Sequence, residues 1–213
     1  MPSFRVRDFI VIGLGAVAGA LAYSRLPAHL LVPGLRAASV GSWLGRPMAA
    51  FLLPIAAGVI SVVIRQLSRC DSPGDDSRRA DVRDAILFRW VLFITALHVT
   101  ILGAMLGMLS GRAWAERAVP MLFGVALMSV GNLLPRLRPN AILGIRTART
   151  LADRAFWIQM HRLAGYLVVG IGGTMTVSAL LLPPGTWVRG VVSVATGIAA
   201  LVFTARFRSY SRA

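Results

Sequence analysis

Few residues in this chain have side chains suited to covalent or metal chemistry. The three histidines, His29, His98 and His161, stand far apart in sequence, and the single cysteine, Cys70, has no His or Cys neighbour that would complete a zinc site. Neither a Ser-His-Asp arrangement nor a His-Glu-x-x-His motif is present, and no long apolar run contains an acid. Hydrolysis therefore lacks both a nucleophile and a metal, and neither enzymatic activity nor a cofactor is expected. Gly13, Gly15 and Gly19 imitate a nucleotide-binding fingerprint, but no strand precedes them and no acid follows about 20 positions on. His98 falls near the middle of an apolar run, where an ionisable group is a functional candidate by default. A neutral imidazole there also serves as a hydrogen-bond link to a neighbouring helix.

The denser pattern lies at residues 131–165. Between Pro135 and Arg162 there are six arginines and one acid, Asp153. Pro135, Pro139, Asn140 and Gly144 punctuate the backbone, which predicts a fixed series of turns. Thr150, with Asp153 in the first turn, reads as the N-cap of a helix that runs from Leu151 into the next apolar run. On that helix Arg154, Trp157 and His161 share one face, and Trp157 suits the headgroup zone of a bilayer. Two readings follow. The segment is an interfacial anchor whose arginines meet anionic lipids, or it is a structured docking surface that offers arginine forks to an acidic partner. Asn132, at the end of the preceding run, is placed to cap backbone groups near Pro135 or to bridge helices.

The elements that must position these residues are membrane spans. Of 213 residues, 56% are hydrophobic and 15% charged, and the mean hydropathy is +0.71. That is too apolar for an ordinary soluble domain. Apolar runs at 9–23, 47–64, 90–109, 119–134, 163–182 and 187–203 predict an all-α, polytopic membrane protein of about six transmembrane helices. Arg5 and Arg7, with Ala20-Leu21-Ala22, also make a passable signal peptide; the small-xxx-small spacing of Gly15 and Gly19 favours a retained span. All 23 basic residues are arginine, which suggests a GC-rich bacterial genome and hence a bacterial plasma membrane. The net charge of +15 lies between apolar runs, where it sets orientation and gives no reason to expect nucleic acid. Seventeen arginines fall on the side of the two termini and the 65–89 and 135–162 loops, against six on the other, so both termini should be cytoplasmic. The 65–89 stretch mixes arginines with Asp71, Asp75, Asp76, Asp81 and Asp84 around Ser72-Pro73-Gly74 and reads as a flexible connector.

The residues Gly131-Asn132, Pro135, Arg138-Pro139-Asn140, Gly144-Ile145-Arg146-Thr147, Thr150-Leu151, Trp157 and His161-Arg162, followed by Gly165, resemble the signature of the SdpI family, multi-pass immunity proteins against a sporulation-delay peptide toxin. Leu26-Pro27 and His29 resemble an upstream module of many relatives, although Leu31 replaces its asparagine. On this view the chain divides into a two-helix segment with a degenerate module (1–65), a charged cytoplasmic loop (66–89) and an SdpI-like four-helix segment (90–213). The resemblance implies a membrane receptor that protects against a membrane-active peptide toxin. It also implies a partner set of a secreted peptide toxin and a cytoplasmic transcriptional repressor held at the membrane. A transporter of small solutes or peptides is the alternative, set back because His98 is nearly alone among polar groups at mid-span.

Overall fold

The computed structural model describes residues 6–26, 45–67, 77–108, 112–139, 143–183 and 196–197. Within them the chain is helical, with no strand: α1 (Val6–Ala22), α2 (Arg46–Leu67), α3 (Ser77–Met105), α4 (Arg112–Gly131), α5 (Ala148–Ala152) and α6 (Arg154–Leu181). Single 3₁₀ turns at Tyr23–Arg25 and Leu134–Arg136 follow α1 and α4. All but α5 are long and apolar enough to cross a bilayer, which makes this a multi-pass helical membrane protein with five such helices among the described residues. The sixth apolar run, 187–203, lies outside them apart from residues 196 and 197, as do both chain ends, His29, Cys70 and Asn140.

Two compact units emerge, one formed by Met1–Gln66 with Trp90–Ala115 and the other by Leu67–Arg89 with Glu116–Ala213. In the first, α1 and α2 run antiparallel with small residues between them. A side chain on Gly19 would collide with the Ala50 carbonyl, and one on Gly15 would meet Pro54 and Thr95 at 3.4–3.5 Å. The expected small-xxx-small packing of α1 is therefore present. Pro54, inside α2, has no N–H to donate to the Ala50 carbonyl one turn back. His98 of α3 is buried in the same unit, and its Nε2 makes no hydrogen bond among the described residues.

One sequence expectation is overturned in this unit. The first apolar run begins at Phe9, but α1 begins at Val6, so a span does contain an acid. Asp8 is 1% exposed, and its carboxylate accepts a hydrogen bond from the Arg65 guanidinium near the end of α2. Burial is tolerated because each charge supplies the other's counterion. The small face of α2, Ala50, Pro54, Ala57 and Ser61, leads at helical spacing to Arg65, which is why the arginine points inward.

In the second unit α4 and α6 run antiparallel in close contact along their lengths. Cβ atoms on Gly124 and Gly172 would each strike the other's carbonyl oxygen, at 2.6 and 2.5 Å, and one on Gly165 would lie 2.8 Å from the Gly131 oxygen. Farther along, the Arg117 guanidinium donates to the Leu180 carbonyl at 3.3 Å. The 65–89 stretch is not a connector throughout: from Ser77 onward it is the first part of α3. Its Ile86 joins Leu133, Leu137 and Trp157 in a buried cluster, with Val82 and Ala85 packed against it, and Arg89 donates to the Ser129 carbonyl. Those apolar positions recur at three- and four-residue spacing between the charges and fix this part of the helix by burial. At its far end α3 stops in a turn where Gly107 has φ +69°. Gly107 therefore ends the helix, and a side chain there would meet nothing within 4 Å.

Candidate functional site: a clasped turn between α4 and α6

The stretch after α4 closes back on the start of α6. Gly131 ends α4, the 3₁₀ turn places Pro135, and its ring packs where a side chain on Gly165 would otherwise lie, 2.9 Å from the ring carbon Cδ. Leu137 leaves that turn extended, and its carbonyl accepts the indole N–H of Trp157 at 2.8 Å. Trp157 is fully buried among protein side chains. The backbone acceptor satisfies the N–H inside the protein, so the ring needs no contact with water.

His161, also fully buried, stands one turn farther along α6, and its ring stacks on Trp157 with centroids 4.0 Å apart and planes 19° from parallel. Its Nδ1 lies 2.9 Å from the Trp157 carbonyl, while its Nε2 accepts the backbone N–H of Ile145 at 3.0 Å. A carbonyl only accepts and an amide N–H only donates, so these partners require the neutral ring with its proton on Nδ1. The turn that brings Ile145 within reach depends on Gly144. Its φ of +107° is one that side-chain-bearing residues rarely adopt, and a Cβ there would collide with His161 Nε2.

The helical start differs from the sequence reading. Thr147, not Thr150, is the first N-cap: its hydroxyl accepts the Thr150 N–H at 3.2 Å, and Thr150 Oγ1 accepts the Thr147 N–H at 2.8 Å. This reciprocal pair is a capping box made with threonine at the third position. Thr150 is fully buried and also donates to the Ile145 carbonyl at 2.9 Å. After α5 the chain extends at Asp153, whose carboxylate caps α6 by accepting from the N–H groups of Ala155 and Phe156. Two capped starts in succession replace the single helix expected from Leu151. The Arg149 guanidinium lies over the Phe156 ring, 4.7 Å from its centre, and spans the break.

The signature residues thus divide by what they face. Gly144, Thr147, Thr150, Trp157 and His161 point into the clasp, and Pro135 packs on α6. Arg146, Arg162 and Asn132 are exposed; Arg138 and Pro139 are half-buried. Arg154 does not join Trp157 and His161, because its side chain faces outward. Sequence reasoning missed Leu137 as the indole's acceptor, Ile86 as its cover, and the Asp8–Arg65 pair. Only the last left a signal, in the spacing of Ser61 and Arg65 on the small face of α2. Among the described residues no group of His, Cys, Asp and Glu is placed to hold a metal.

No curated protein and no solved structure matches the chain. Residues 136–205, which include the Gly144 turn, both capped helix starts and the Trp157–His161 clasp, match the model of the SdpI/YfhL protein family. Through that segment the resemblance read from the sequence is borne out: residues 136–205 are similar to the SdpI/YfhL family.

Proposed function

We propose that this membrane protein of the immunity type protects its cell by binding a membrane-active peptide toxin, and that its 131–165 segment presents a surface to a cytoplasmic partner. The family match supports the immunity class. The observation that carries the finer reading is the clasp. Its buried polar groups are spent on one another, with His161 and Thr150 both holding Ile145, and this leaves Arg146 exposed on a rigid support. An exposed arginine on an ordered turn can offer its fork to a carboxylate or phosphate, which favours recognition. Binding of toxin shifts such a surface only if the helices have two arrangements for which the toxin's affinity differs.

Transport is the second reading, and the buried Asp8–Arg65 pair is the observation on its side, since intramembrane ionisable groups mark transport pathways. The pair stands at helix ends, at the third residue of α1 and the third from last of α2, and not at mid-span. Expression in a toxin-sensitive host separates the readings. Survival should rise with the toxin intact and its amount at the cell unchanged. Arg146→Ala should weaken capture of the cytoplasmic partner about fivefold or more while leaving protein abundance unchanged; Arg149→Ala, which removes the same charge from a side chain laid on Phe156, should do less. Protection that tracks toxin breakdown or energy-dependent efflux would replace this reading with an enzyme or a transporter.

A further inference from the structure

The outer face of α6 carries polar groups that the clasp does not use. Gln159, Arg162 and Tyr166 follow one another at spacings of three and four, so they stand in one line along the helix, and all three are exposed, Tyr166 at 65%. Successive positions are separated by about 4.5 and 6 Å along the axis. The sequence of α6 contains no acid, and the nearest one, Asp153, is occupied as the helix cap. The guanidinium of Arg162 therefore faces outward without a carboxylate on its own helix.

Depth in the bilayer follows from length. At 28 residues α6 is about 42 Å long, while the hydrocarbon is about 30 Å thick and is crossed by about 20 residues. Counted back from Leu181, the boundary of the hydrocarbon comes at Arg162. An arginine there places its charge among lipid phosphates. Tyr166, one turn deeper, has its hydroxyl at the level of glycerol esters, and Gln159, one turn outward, stands at the level of the headgroup. Beyond Tyr166 the same face continues through Gly170, which is exposed and where a side chain would meet nothing within 4 Å, so an acyl chain has room to lie against the helix.

We infer that Gln159, Arg162 and Tyr166 form a seat for one anionic glycerophospholipid. Arg162 binds its phosphate, Tyr166 donates to an ester carbonyl, and Gln159 bonds the polar headgroup. The positive charge of Arg162 selects an anionic lipid over a zwitterionic one, whose own ammonium would compete for the phosphate. Gln159 and Arg162 belong to the 131–165 segment whose partner surface is proposed above, but the seat does not rest on that reading.

Native mass spectrometry of the full chain in detergent, with phosphatidylglycerol or phosphatidylcholine of the same acyl chains, tests the seat. The wild type should retain phosphatidylglycerol in preference. Arg162→Gln should reduce that retention about fivefold, the value of one arginine near an anionic surface. Tyr166→Phe, which removes only a hydroxyl, should reduce it less. Arg154→Gln, with the same charge change about 12 Å farther out along the helix, should leave it unchanged. Equal retention of the two lipids, or equal loss in Arg154→Gln and Arg162→Gln, would overturn the seat in favour of diffuse attraction. Displacement of the lipid by millimolar glycerol phosphate would assign the site to a soluble phosphate. Unchanged retention in Arg162→Gln would leave this face to a protein partner.

Discussion

His161 shows how a residue in a recognisable pattern acquires its role. In the sequence it is one of three scattered histidines, and its spacing places it on one helix face with Arg154 and Trp157. In the fold it holds the turn at Ile145, stacks on Trp157 and leaves no room at Gly144 for a side chain. The pattern was legible because turn formers and cap formers recur at fixed separations. The direction each side chain faces was not, because that depends on partners such as Leu137 and Ile86, which carry no signal of their own. Gly144→Ala tests the clasp at this scale. Alanine adds a Cβ where His161 Nε2 stands and disfavours a φ of +107°, so the turn must open or the imidazole must move. The expected loss is about 1–3 kcal/mol of stability, the usual cost of a strained backbone position, seen as a lower thermal midpoint in detergent. An unchanged midpoint would mean that Ile145 is held without His161.

At the scale of helices, two devices bring the spans together. Small residues allow α4 to lie against α6 and α1 against α2, and the buried Asp8–Arg65 pair ties α1 to α2. Glycine spacing made the close packing of α1 foreseeable, but a spacing does not name its partner helix, and Gly107 proved to end a helix. The Asp8–Arg65 pair was missed because hydropathy places the boundary of a span at the first charge, whereas a paired charge belongs inside it. This pair gives a second prediction. Removing one partner leaves the other buried and uncompensated, so Asp8→Asn should destabilise by about 3–5 kcal/mol. Asp8→Asn combined with Arg65→Gln replaces the ions by neutral groups of similar shape and should recover much of that loss in detergent unfolding. Additive losses in the double variant would show that the two side chains act separately.

For the whole molecule the open physical question is which way it lies in the membrane, and every functional statement about the 131–165 segment depends on the answer. Charge predicts the orientation: seventeen arginines on one side against six on the other, with short loops in which each arginine counts. The structure takes one of the seventeen out of play, since Arg65 is buried against Asp8 and presents little free charge to the inner lipid surface. The imbalance survives that subtraction by a wide margin. Helix length does not decide the side, but α6 exceeds the hydrocarbon by about eight residues. The excess falls at its first turns, where Trp157 and His161 are buried in protein and Arg154 and Arg162 face outward. Single cysteines at Ser68 and Ser110, in a chain with Cys70 replaced by serine, read the orientation directly. A membrane-impermeant maleimide added to intact cells should label the cysteine at 110 and not the one at 68, while inverted vesicles should reverse the two. Labelling of position 68 from outside would place the clasped turn on the outer face. The surface carrying Arg146 would then meet the toxin itself, and a cytoplasmic partner would have nothing to bind there.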